Sequence, residues 1–149
     1  MSPRKHAPAL VAATALALGL AGTIGFATTG AAAERTCSNE SVEGQYALQA
    51  RGLTEGLTHH TENLGRIMVD GHGHLSGSLT VSINGRIATA QALNGTYEVH
   101  ADCSGTESFT IGSDPTARTA SFVLANKARQ IDFLETDEGT VFSGSATRQ

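Results

Sequence analysis

The stretch His74-Leu75-Ser76-Gly77-Ser78-Leu79-Thr80-Val81-Ser82-Ile83-Asn84 decides the fold. Leu75, Gly77, Leu79, Val81 and Ile83 alternate with Ser76, Ser78, Thr80 and Ser82. A period of two places the first set on one face of an extended strand and the hydroxyls on the other. One face is suited to packing and the other to water, as in an antiparallel sheet. The same period dominates from Val42 onward, where no segment carries a sustained apolar stripe at helical spacing.

Turn-forming pairs cut this pattern at nearly regular intervals: Asp70-Gly71, Asn84-Gly85, Asn94-Gly95, Ser104-Gly105, Asp114-Pro115 and Glu138-Gly139. Strands are predicted over 43–51, 62–70, 74–83, 86–93, 95–100, 106–111, 119–125, 130–136 and 140–147. Asn94-Gly95 is either a turn or a bulge within one long strand, because Leu93 and Thr96 continue strand-like sequence on both sides. Eight or nine short strands joined by tight turns predict an all-β fold, a small antiparallel up-and-down β-barrel. A two-sheet β-sandwich is the alternative. Closure into a barrel would remove the exposed strand edges that invite aggregation. Core positions include Leu48, Leu75, Leu79, Ile83, Phe109, Ile111, Phe122 and Phe142. Trp is absent and many strand positions are Ala, Gly or Ser, so the interior either packs solid or keeps room for one small ligand.

Ahead of this domain stand Arg4 and Lys5, an apolar run from Ala9 to Phe26, and Ala31-Ala32-Ala33 before Glu34. A basic start, an apolar middle and small residues at the cut are the marks of a secretory signal peptide over residues 1–33. Residues 34–149 are then a single exported domain, extracellular, or periplasmic where the host has an outer membrane. The whole chain carries a net charge of −4. All fourteen acidic residues but only eight of the ten Lys and Arg lie beyond Ala33, a balance of −6 that disfavours a nucleic-acid partner. No second apolar run is long enough to span a bilayer, and Glu34-Arg35-Thr36 before Cys37 does not resemble a lipid-attachment sequence, so no membrane anchor is expected. Cys37 and Cys103 are the only cysteines, and in an oxidising compartment they are expected to pair. The sequence leaves the oligomeric state open.

The strings Asp70-Gly71-His72-Gly73-His74-Leu75-Ser76-Gly77, Asn94-Gly95-Thr96-Tyr97, Asp102-Cys103-Ser104-Gly105-Thr106 and Thr140-Val141-Phe142-Ser143-Gly144-Ser145-Ala146 resemble small secreted bacterial proteins with an allene oxide cyclase-like barrel. The wider group, with dirigent proteins and polyketide-type cyclases, holds apolar substrates inside the barrel. No catalytic motif of that group can be laid on these residues, so the resemblance implies a scaffold and leaves chemistry to the site.

Candidate chemistry is sparse. Glu62 and Arg66 fall on one strand face about 13 Å apart, a spacing at which a ligand held between them could meet both charges were that face inward; they are the catalytic candidates. His59 and His60 follow the stretch Arg51 to Thr58, expected to be the longest loop, and Tyr97 lies on the face taken as inward; these three are the ligand-binding candidates. If Tyr97 points inward, Glu98 and His100 point to solvent. The five mature histidines do not make one metal site, since His60 and His72 stand about 30 Å apart along their hairpin. No Gly-x-Ser-x-Gly elbow or phosphate loop occurs, and no metal or cofactor is expected. The expected function is binding of a small apolar molecule within the barrel. The alternatives are a cofactor-independent cyclase or isomerase, and an extracellular interaction module acting through loops 52–61 and 112–118.

Overall fold

The computed structural model describes residues 36–149, so the expected signal peptide lies outside the described residues. Eight strands follow a short 3₁₀ turn, Asn39–Val42: β1 (Gly44–Thr54), β2 (His59–Val69), β3 (His74–Ile83), β4 (Arg86–Val99), β5 (Ser104–Ile111), β6 (Arg118–Ala125), β7 (Gln130–Glu135) and β8 (Val141–Arg148). Each pairs antiparallel with its sequence neighbour, and β8 returns to β1 through pairs such as Leu48 with Ala146, closing an up-and-down barrel. The barrel, not the sandwich, is the architecture formed.

Two expectations about boundaries are corrected. Segments 86–93 and 95–100 are one strand, β4, the long-strand alternative given for Asn94-Gly95, but the irregularity lies upstream of that pair, where the β3–β4 register slips between Leu79 and Val81 and Ala90 adopts φ 54°. Gly95 serves close approach instead of a turn, because a Cβ there would overlap the Ser108 carbonyl oxygen on β5. Half of the stretch Arg51–Thr58 is strand: β1 runs to Thr54, Glu55–Thr58 turn, β2 begins at His59, and the Thr54 and Thr61 hydroxyls bond across the pair at 3.0 Å. The six residues 112–117 form a longer connection. Asn84-Gly85 behaves as its chemistry predicts, with both residues at positive φ (49° and 81°), the two-residue hairpin that matches strand twist.

The inward face holds Tyr46, Leu48, Ile67, Leu79, Phe109, Phe122 and Phe142, all buried, whereas Ile83 at the end of β3 is 37% exposed. At several strand positions the small residues serve close packing, one of the two outcomes expected of them. At Gly65, Gly77 and Gly144 an added Cβ would overlap a carbonyl oxygen of the neighbouring strand, and at Gly105 it would strike the Phe122 ring. These glycines let the strands coil tightly into a narrow barrel, with little room left over.

One end of the barrel is plugged. Val42, on the 3₁₀ turn, is 1% exposed, and the Tyr46 ring beneath it is fully buried. The Tyr46 hydroxyl lies 3.0 Å from the Val42 carbonyl and 3.2 Å from that of Ala128, donating to one at a time, and accepts from Arg148 Nη2 at 2.8 Å. The Cys37–Cys103 disulfide ties the same segment to the β4–β5 turn, and the Val99 amide donates to Asn39 Oδ1 at 2.8 Å. The expected cysteine pairing is therefore present.

Candidate functional site

With one end plugged, polar inward residues collect towards the other, where the β1–β2, β3–β4, β5–β6 and β7–β8 connections gather. Thr54, Thr61, Asn63 and Glu135 are buried there or just below. Glu135 Oε1 stands 3.9 Å from Arg118 Nη1, and Asp114 Oδ2 stands 3.7 Å from Arg118 Nη2. Burial raises the Glu135 carboxyl above its ordinary range, Arg118 opposes the rise and Asp137 adds to it. A cleft of about 390 Å³ opens over this cluster, lined by Glu55, Asp114, Arg118, Glu135, Asp137 and Glu138 among others. Its charged lining is five carboxylates to one guanidinium.

Within the barrel lies a small cavity of about 30 Å³, walled by Leu48, Ile67, Leu75, Leu79, Leu93, Phe109, Phe133 and Phe142. That is room for roughly two water molecules. Two polar side chains line it, Asn63 from β2 and Glu107 from β5. Asn63 is 6% exposed, and its Oδ1 has no hydrogen-bond partner among the described residues. Glu107 alternates in phase with Gly105, Phe109 and Ile111, which directs its carboxyl inward. Burial pushes that carboxyl up to about 7. The side chain is half-buried and lines the cavity. No hydrogen bond or ion pair engages Glu107 among the described residues. A carboxyl in apolar surroundings, poised near neutrality and without a partner, can anchor a ligand or move a proton.

The residues singled out in the sequence lie elsewhere. Glu62 and Arg66 are both exposed on the outer wall, since the inward phase of β2 belongs to Thr61, Asn63, Gly65, Ile67 and Val69. Glu62 sits opposite Arg51 and beside an open outer groove of about 290 Å³ that also touches Leu64 and Ile87. His59 and His60 open β2 instead of ending a long loop. His59 is half-buried with Nδ1 2.9 Å from Glu55 Oε2, out of line for a ring N–H bond, and His60 is exposed. Tyr97 does point inward, but at the plugged end, where its hydroxyl reaches the Asn39 carbonyl at 3.4 Å and burial raises its pKa. Glu98 and His100 face solvent. The backbone amides of His72 and His74 both donate to Asp70 Oδ1, at 2.7 and 2.9 Å, and hold that carboxyl below its usual range. Among the described residues no group of three His, Cys, Asp or Glu side chains is arranged to hold a metal ion.

Fold and site together define a small closed antiparallel barrel, plugged at one end, with a carboxyl and an amide facing a narrow apolar interior. No protein-family model and no curated protein matches the chain, so the allene oxide cyclase-like resemblance has no family match beside it. Among solved structures the chain is similar to a de novo designed fluorescence-activating β-barrel, with a TM-score of 0.53 and 14% identity over 74% of this chain and 96% of that one. At that identity the likeness is one of fold.

Proposed function

We propose that the mature protein is an exported carrier that binds one small, largely apolar molecule inside the barrel. The observation that carries this reading is the interior cavity lined by Glu107 and by Asn63, whose Oδ1 is buried without a partner among the described residues. A barrel serving only as a rigid support gains nothing from an unpartnered buried amide and a desolvated carboxyl, each of which costs about 1–3 kcal/mol. A resting volume of about 30 Å³ means that anything beyond two or three heavy atoms enters only as Leu93, Ile111 or Phe133 moves aside. Export rests on the pattern of residues 1–33 and accords with the disulfide.

Native mass spectrometry of the protein recovered from its own host's medium tests this directly. A stoichiometric noncovalent adduct is expected. A bare mass, with no uptake of added hydrophobic probes, overturns the reading.

One observation favours a second reading, a cofactor-independent cyclase or isomerase of the allene oxide cyclase-like type. Glu107 has what Glu62 lacks for general acid–base work, burial and a cavity in front of it. On this reading Glu107→Gln abolishes turnover while the variant stays folded.

A further inference from the structure

The polar groups facing the interior point to a ligand of definite chemistry. Glu107 in its ionised form accepts hydrogen bonds and donates none. Asn63 lines the same cavity from β2, three strands around the barrel from β5, with its carbonyl oxygen buried and unpartnered among the described residues. The remaining walls are hydrocarbon, chiefly Leu and Phe side chains. Nothing in the lining supplies a cation, because Arg118 lies at the cleft with Asp114 and Glu135. Around Glu107, its register partner on β4 is Tyr97, whose hydroxyl is directed to Asn39 at the plugged end, and its partner on β6 is Ala120. Neither neutralises the carboxylate.

The cleft over the unplugged end has the same sign. Glu55, Asp114, Glu135, Asp137 and Glu138 surround Arg118, and the cleft reaches down to buried Thr54 and Glu135. Such a field concentrates small cations at the entrance and turns small anions away. Cleft and cavity thus favour the same sign of charge in a small molecule.

We propose, resting on the barrel-ligand reading above, that the ligand is a primary amine with an apolar body, whose ammonium group lodges against Glu107. An ammonium brings three donors and no acceptor, which suits a carboxylate and an amide oxygen. Its hydrocarbon body suits the Leu and Phe walls. An alcohol of equal length meets one acceptor at most, and a carboxylate of equal length is repelled. Glu107 keeps its acceptor character whichever way the Asn63 amide is turned, so it carries the charge recognition.

The test uses a chain-length series of primary amines from ethylamine to hexylamine, with alcohols and carboxylates of the same lengths. Each is titrated into the folded, disulfide-intact protein at pH 8 while the methyl resonances of Leu93 and Ile111 are followed by NMR. The expected result is that amines bind roughly ten- to a hundredfold tighter than the matching alcohols and that the carboxylates do not bind. Glu107→Gln, which keeps the shape and removes the charge, is expected to collapse the amine-to-alcohol ratio to near one. Equal affinity for amines and alcohols, or a ratio that survives in Glu107→Gln, overturns the amine proposal and leaves the barrel-ligand reading standing. If no probe of any length or charge moves an interior methyl resonance, the barrel-ligand reading falls and the amine proposal with it.

Discussion

Glu107→Gln separates a desolvated interior carboxyl from an ordinary surface one through the pH dependence of stability. In the unfolded chain the carboxyl titrates near 4.5, and in the folded barrel burial pushes it up to about 7. Between these values the folded state holds a proton that the unfolded state has released, so stability falls as pH rises. The contribution is fully present below about pH 4.5, declines by about 1.4 kcal/mol per pH unit, and is spent once the pH passes through the folded value near 7. Over the window the loss comes to about 3 kcal/mol. Glutamine cannot titrate, so the variant should match the wild type at pH 4.5 and exceed it by about 3 kcal/mol at pH 8. Glu135, whose carboxyl is also raised, is present in both proteins and cancels in the difference. Equilibrium urea unfolding of the disulfide-intact proteins, repeated from pH 4.5 to 8.5, reads that difference. Parallel wild-type and variant curves would place the Glu107 carboxyl in bulk-like water and refute the inward assignment.

Further outcomes follow from the plug, the strand contacts and the outer wall. Replacing Cys37 and Cys103 by Ser opens a link between residues 66 apart and should cost about 4 kcal/mol by the loop-closure argument, read as a drop in urea midpoint; an unchanged midpoint would mean that the plug is held without the bridge. Tyr46→Phe removes the hydroxyl shared by Val42, Ala128 and Arg148 and should lower stability by about 1–3 kcal/mol, visible in thermal unfolding. Gly65→Ala drives a methyl into the Ser78 carbonyl, and because backbone is struck the cost should reach about 3 kcal/mol, at the upper end for overpacking. Glu62→Gln, on the outer wall, should change stability by less than about 0.5 kcal/mol and leave amine binding intact, checked by the same unfolding and NMR titrations.

The barrel was legible because each strand alternates one apolar and one polar face, and because Asn-Gly and Asp-Gly pairs mark hairpins with their own backbone preference. Asn94-Gly95 shows where that reading reaches its limit. The same dipeptide that turns the chain at 84–85 lies within a straight ladder at 94–95, and only the approach of the β5 backbone tells them apart. The inward glycines repeat the lesson. Judged by size they promise space, yet in three dimensions a neighbouring carbonyl or the Phe122 ring occupies the place of the missing Cβ.

The site was half legible. Alternation divides β2 into Glu62, Leu64, Arg66 and Met68 against Asn63, Gly65, Ile67 and Val69, but Leu64 and Met68 on the outer wall are 62% and 45% exposed, so apolar character alone does not say which face is buried. Charged residues draw the eye in such a strand, and a neutral amide in the other phase does not. On β5 the signal was plainer. Phe109 and Ile111 read as core positions from the sequence, and Glu107 stands two residues before Phe109 with Thr106, Ser108 and Thr110 in the opposite phase. An acidic residue in phase with two large apolar ones has either to leave the face it belongs to or to remain there desolvated. The closed barrel forbids the first, because moving Glu107 outward would carry the whole inward set of β5 with it. Its position therefore follows from register, and the perturbed carboxyl follows from its position.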